Sequence, residues 1–282
     1  RNVNSIADSF RFLLSDLTGV DDCATPTVPG GVPEALRPEV AEAIAALIAY
    51  QGPSYAELYV HRLRRFARRR DVDAALLGLI ARELARRMCY DDPIRIAQHH
   101  LATAHHGDAV AARHRFRLDE LFGALPGKVG RPLLMGCERA GWTHLPVSMR
   151  FNACSGAGRL RLRLEAGLRR WRLFSARYAS ERAWVERWLH MIDRGLTKQP
   201  AAALAIAGTA AMIQGSGDGY RRGLADWHAL IDGIVKPALD GVLPVADLAG
   251  AIGEIVALSR DGASRQVAVA IVRIREEATR GA

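Results

Sequence analysis

His99 and His100, His105 and His106, and then His114 crowd five imidazoles into one short stretch of the chain. Neutral imidazole is a common metal ligand, so a metal centre is the first chemistry to weigh. No carboxylate–histidine spacing such as His-Glu-x-x-His accompanies them, and adjacent histidines diverge on a helix. A solvated, loop-borne histidine run is the better expectation. The next constellation is "QGSGDGYRRG", residues 214–223, with Gly215, Gly217 and Gly219 at alternate positions. A dinucleotide loop needs G-x-G-x-x-G after a strand, whereas this segment follows a helical pattern and its third glycine falls one position early. The Gly-Lys-Ser/Thr of a Walker loop is absent. A thiamine-diphosphate loop opening Gly-Asp-Gly needs a downstream asparagine to complete its Mg²⁺ ligands, and the asparagines here are Asn2, Asn4 and Asn152. A helical joint accounts for every residue. Gly215 ends one helix in the left-handed conformation, and Ser216 or Asp218 caps the next. Asp218, Arg221 and Arg222 remain candidates for contact with an anion or partner.

Two arginine runs, "RLRRFARRR" at 62–70 and "RLRLRLEAGLRRWR" at 159–172, form the third constellation. On a helix Arg159, Arg163 and Arg170 share one face while Leu160, Leu164 and Leu168 share another. That is an amphipathic helix with a basic side, either solvated or turned toward acid. Arg161, Arg163, Arg170 and Arg177 are the candidate contacts. No aromatic motif of an RNA-binding sheet and no recognition-helix signature accompanies them, so nucleic acid is the least favoured partner. The four cysteines, Cys23, Cys89, Cys137 and Cys154, include no C-x-x-C pair and read as scattered reduced thiols. No Ser-His-Asp order, nucleophile elbow or paired-carboxylate motif stands out.

The elements that must carry these residues read as helices. The 282 residues are 49% apolar and 24% charged, the balance of a soluble globular protein with a large core. No membrane span and no signal peptide is legible, which points to the cytoplasm. The start at Arg1 rather than Met leaves open a true start upstream. A formal charge of +9 raises the question of a polyanion. Of the 39 basic residues, however, only Lys128, Lys198 and Lys236 are lysines, a composition that also follows from a GC-rich genome.

Ile6, Phe10, Leu13, Leu14 and Leu17 predict a helix over 5–18, and a Pro/Gly-rich linker follows to residue 33. Three helices are expected from Pro38 to about Gln98, then loops and short helices over 99–146. Helical stripes resume at 158, with Trp184, Trp188, Leu189, Ile192 and Leu196 on one of them. A helix over about 200–213, another through Tyr220, Leu224, Trp227, Ile231 and Ile234, and two more over 246–259 and 263–279 complete the chain. No strand is expected. The fold class is all-α, a multi-helix bundle-like domain with helical hairpins and an irregular, loop-rich middle. The expected divisions are 1–33 (helix and linker), 34–245 (helical domain) and 246–282 (helical hairpin).

Two stretches carry a resemblance. "YQGPSYAELYVHRLRRFA" with "LARRMCYDDPIRIAQ" (50–98), and the run from "RLRLRLEAGLRRWRLFSARYASERAW" to "IQGSGDGYRRGLADWHALID" (159–232), resemble the C-terminal helical extension of the B subunit of bacterial indolepyruvate:ferredoxin oxidoreductase. The matching positions are Tyr50, Gln51, Tyr55, Tyr59, Tyr90, Asp92, Ile94 and Arg95. Later matches are Arg161, Leu162, Arg163, Arg177, Tyr178, Ala179, Glu181, Trp188, Leu189, Gly215, Gly217, Asp218, Arg222 and Gly223. Gly52 and Ser216 depart from the pattern, replacing an acid and a tyrosine. The resemblance implies membership in an enzyme that oxidatively decarboxylates aryl 2-oxoacids to CoA thioesters. It also implies that thiamine diphosphate, Mg²⁺ and iron–sulfur clusters are held by the partner subunit or a γ-type domain, with none in this chain. Its partners would be that catalytic A subunit or γ-type domain, and ferredoxin or the phosphates of coenzyme A. On this footing the chain is a helical accessory and assembly domain with no catalytic motif of its own. The alternative is a stand-alone basic helical module for an acidic protein partner or nucleic acid.

Overall fold

The computed structural model describes residues 24–90, 93–105, 111–125, 127–152, 158, 160, 172–214 and 217–280. The helix expected over 5–18 and most of the stripe through Leu164, Leu168 and Trp171 lie outside these residues. Among the described residues the protein is all-α apart from one two-stranded antiparallel sheet. In chain order the elements are α1 (Arg37–Tyr50), α2 (Pro53–Ala67), α3 (Ala74–Met88), α4 (Pro93–His105), β1 (Ala111–Arg117), α5 (Leu118–Gly123), α6 (Gly127–Ala140) and β2 (Pro146–Asn152). They continue as α7 (Ala176–Lys198), α8 (Ala203–Gly208), α9 (Gly217–Leu230), α10 (Lys236–Leu239), α11 (Leu248–Arg260) and α12 (Ser264–Arg280). The chain divides into two compact units. One gathers residues up to Val28, Ala41–Arg62 and Ala85–Ala183; the other gathers Pro29–Val40, Leu63–Leu84 and Trp184–Ala282.

Apolar residues at helical spacing define the buried faces. Leu76, Ile80, Leu84 and Met88 bury one side of α3, and Trp184, Trp188, Leu189, Ile192 and Leu196 one side of α7. No described helix is long and apolar enough to cross a membrane.

Two expectations need correction. The middle of the chain holds a sheet: β1 pairs with β2 in the register Arg113↔Arg150, His114↔Met149 and Phe116↔Val147. Along β1 the exposed Arg113 and Arg115 alternate with the more buried His114 and Phe116. The period-two signal is thus written in arginine and aromatics rather than β-branched residues. Helices α5 and α6 separate the strands, so no tight turn announces the pairing. The second correction is that residues 200–213 are not one helix. A 3₁₀ turn at Pro200–Ala202, the short α8 and a second 3₁₀ turn at Thr209–Met212 replace it. Proline at the start, and a run of buried small residues that lets neighbouring backbone approach, favour the tighter turns.

That broken segment anchors the second unit. Trp188 Nε1 donates to the Ala207 carbonyl at 3.1 Å, and Trp227 Nε1 donates to Thr209 Oγ1 at 3.1 Å. Thr209 Oγ1 in turn donates to the Ile206 carbonyl at 2.7 Å. All three side chains are at most 0% exposed. Thr209→Val keeps the shape but leaves the buried indole N–H without its acceptor. It should cost about 1–3 kcal/mol, read as a lowered urea midpoint with an unchanged m-value. The C-terminal pair α11–α12 is tied to α9 by Asp226, which accepts from Ser259 Oγ at 3.1 Å and Ser264 Oγ at 2.9 Å.

Candidate functional site

Helix α1 ends at Tyr50, and the chain reverses through Gln51 and Gly52. Gly52 has φ +140°, a conformation that favours glycine, and Pro53 opens α2 where its missing N–H costs nothing. The Gly52 carbonyl accepts from Tyr55 N and Ala56 N, both at 3.2 Å. The joint sets Tyr50 beside Tyr55, their rings 5.9 Å apart. The C-terminal end of α3 brings Tyr90 edge-on to Tyr50 at 6.0 Å, and Tyr50 Oη donates to the Tyr90 carbonyl at 3.2 Å. Helix α4 brings Arg95, which donates to the Cys89 carbonyl and lies 5.8 Å from the Tyr50 ring.

Ser175 Oγ accepts from Tyr178 N at 3.0 Å and so caps the start of α7. That first turn aims Arg177 at the Tyr90 ring, 4.9 Å from its centroid, and Tyr178 at the Tyr55 ring, 6.4 Å away. Arg177 also pairs with Glu181 one turn on, at 3.8 Å. At the centre lies Arg172, 2% exposed. Its guanidinium stacks 3.9 Å from the Tyr50 ring and donates to the Tyr50 carbonyl at 2.9 Å and to Gln51 Oε1 at 3.0 Å.

The electrostatics decide what this group can do. Burial pushes the Tyr55 phenol well above its ordinary value; Tyr178 and Tyr90 add to that, while Arg62 pulls the other way. Tyr55 therefore stays a neutral donor and holds the Met88 carbonyl at 3.0 Å. It is not a general base at neutral pH. Guanidinium planes on tyrosine faces, closed by backbone carbonyls, lock helix ends together.

Eight of the twenty-two residues that carry the resemblance meet here: Tyr50, Gln51, Tyr55, Tyr90, Arg95, Arg177, Tyr178 and Glu181 form one interlocked cluster from three separate stretches. Of the candidate contacts, Arg177 lies in this cluster. Asp218, Arg221 and Arg222 lie on α9 in the other unit. Arg161, Arg163 and Arg170, like Gly215 and Ser216, lie outside the described residues. Asp218 is no N-cap, because α9 starts one residue earlier at Gly217; its carboxylate sits in the first turn, where it complements the helix dipole. Arg222 Nε donates to the Asp218 carbonyl at 3.3 Å, one turn back.

His106 lies outside the described residues, and the other four histidines of the run are not loop-borne. His99, His100 and His105 lie on α4 and His114 on β1, where His100 Nε2 and His114 Nε2 are 3.1 Å apart. Among the described residues no group of three or more metal-binding side chains assembles. The residue that sequence reasoning missed is Arg172. It stands at the end of an arginine run and carries no mark that separates it from its neighbours.

Fold and cluster together define a helical protein in which arginine–tyrosine contacts pin helix ends. Residues 36–233 match a family of unknown function, DUF6537, and the chain belongs to it. The match includes both the tyrosine cluster and the glycine-rich stretch that leads into α9. No curated protein and no solved structure matches the chain.

Proposed function

We propose that this chain is a helical accessory and assembly domain of the B subunit of an aryl-2-oxoacid (indolepyruvate):ferredoxin oxidoreductase. The observation that supports the proposal is the convergence of Tyr50, Gln51, Tyr55, Tyr90, Arg95, Arg177, Tyr178 and Glu181, eight of the residues of the resemblance, into one cluster. Side chains spent on locking helix ends suit a scaffold rather than a reaction centre. In this reading thiamine diphosphate, Mg²⁺ and the iron–sulfur clusters belong to the catalytic A subunit or a γ-type domain, and the chain works in the cytoplasm. Of the arginines proposed to face ferredoxin or the coenzyme A phosphates, Arg177, Arg221 and Arg222 are among the described residues.

The test is co-expression of the chain with a tagged A subunit. The chain should co-purify in stoichiometric amount, and deleting residues 36–233 should lower indolepyruvate-dependent ferredoxin reduction. A chain that elutes alone, with an A subunit fully active without it, would sink the proposal.

A further inference from the structure

We propose that His100 and His114 form a proton-operated latch that holds the β1–β2 ribbon against α4 at neutral pH and releases it in mild acid. The two Nε2 atoms are 3.1 Å apart and the ring centroids 5.4 Å, so the rings meet nearly head-on. A neutral pair satisfies that geometry with one N–H donating to one bare nitrogen. Two imidazolium rings would set two N–H groups and two positive charges against each other, so the closed latch excludes double protonation.

The latch sits at the rim of a small apolar cluster made by Ala97 and Phe116 with Ile96, Leu101, Leu121 and Met149. The His114 and Phe116 rings are 6.4 Å apart. Among the described residues that cluster attaches the ribbon to α4, and it is small. Loss of one polar clasp can therefore shift its opening equilibrium.

The groups around the latch reinforce the direction. On α4 the His99 ring is 6.2 Å from that of His100. On β1, Arg113 and Arg115 flank His114 on the exposed side, and β2 places the uncharged Met149 opposite it. Helix α5, packed against β1, offers Asp119 and Glu120, but these engage Arg117. Burial holds His100 below the ordinary histidine range, and His114 and His99 lower it further. A lowered native value means that the open state binds more protons. The latch is therefore complete above about pH 6.5 and is lost as pH falls through the lowered value.

Hydrogen exchange of the isolated chain tests this and is independent of the oxidoreductase proposal. After correction for intrinsic rates, protection of residues 111–117 and 146–152 should fall about tenfold from about pH 7.5 to pH 5.5 in the wild type. In His114→Phe, which keeps a ring beside Phe116 and cannot titrate, protection should be flat over that range. Unchanged wild-type protection, or an equal fall in His114→Phe, overturns the latch. Should that variant fail to fold, the wild-type imidazole resonances decide. His100 titrating below the ordinary histidine value of about 6.5 supports the latch, and His100 titrating at or above it overturns it.

Discussion

Gly223→Ala should unfold this protein more readily than alanine at any other described helix glycine, although alanine is the better helix former. Intrinsic propensity favours alanine over glycine by about 1 kcal/mol in a helix interior. At Gly223, however, a Cβ would overlap the Met212 carbonyl oxygen and stand 3.0 Å from its carbon and 3.1 Å from Ile213 Cα. These are backbone atoms in the second unit's core, with Met212 and Ile213 at most 4% exposed, so no side chain can swing aside. Overpacking of this kind costs about 1–3 kcal/mol and more when backbone must move, so a net loss of about 3 kcal/mol is expected. Gly219, one turn earlier, is the control. Its Cβ would meet only the Gln214 carbonyl at 3.6 Å, an ordinary contact. Gly219→Ala should therefore be neutral or stabilise by up to about 1 kcal/mol. Urea midpoints of the two variants, measured together, separate close approach from propensity. Equal midpoints would remove the packing explanation for Gly223.

The same glycines show how far the sequence could be read. The spacing of "QGSGDGYRRG" predicted a joint before a helix, and α9 does begin at Gly217. Nothing local said that Gly223, inside the helix, is the one pressed against another segment's backbone. Close approach is a tertiary fact. Helices with a clean 3.6-residue period were legible to within a few residues; the hairpin expected at 246–259 and 263–279 is α11 and α12 at Leu248–Arg260 and Ser264–Arg280. The ribbon was not legible, because its alternation runs through Arg113, His114, Arg115 and Phe116 and its partner strand is separated from it by two helices. The tyrosine cluster was half legible: resemblance marked its members, while only the fold placed Arg172 among them.

Arg172→Ala should be the most damaging polar substitution in the first unit. Arg172 is 2% exposed, its guanidinium stacked at 3.9 Å on Tyr50 and bonded to the Tyr50 carbonyl and Gln51 Oε1. Removing it leaves two buried acceptors short of a charged donor, at about 1.5–3 kcal/mol for hydrogen bonds of that kind. It also forfeits a desolvated cation–π contact worth about 2 kcal/mol. Because the terms share one group they do not add fully, and about 3–4 kcal/mol is expected. Arg172→Lys distinguishes charge from shape. A lysine keeps the charge but is a point cation, unable to lie flat on the ring while reaching both oxygens. It should recover less than half of the loss, and tyrosine near-ultraviolet dichroism should stay reduced in both variants. If Arg172→Lys instead melts like the wild type, charge alone holds the cluster and the stacking geometry is incidental. If Arg172→Ala melts like the wild type, the cluster does not pin the ends of α1 and α7, and the scaffold role proposed for it loses its physical basis.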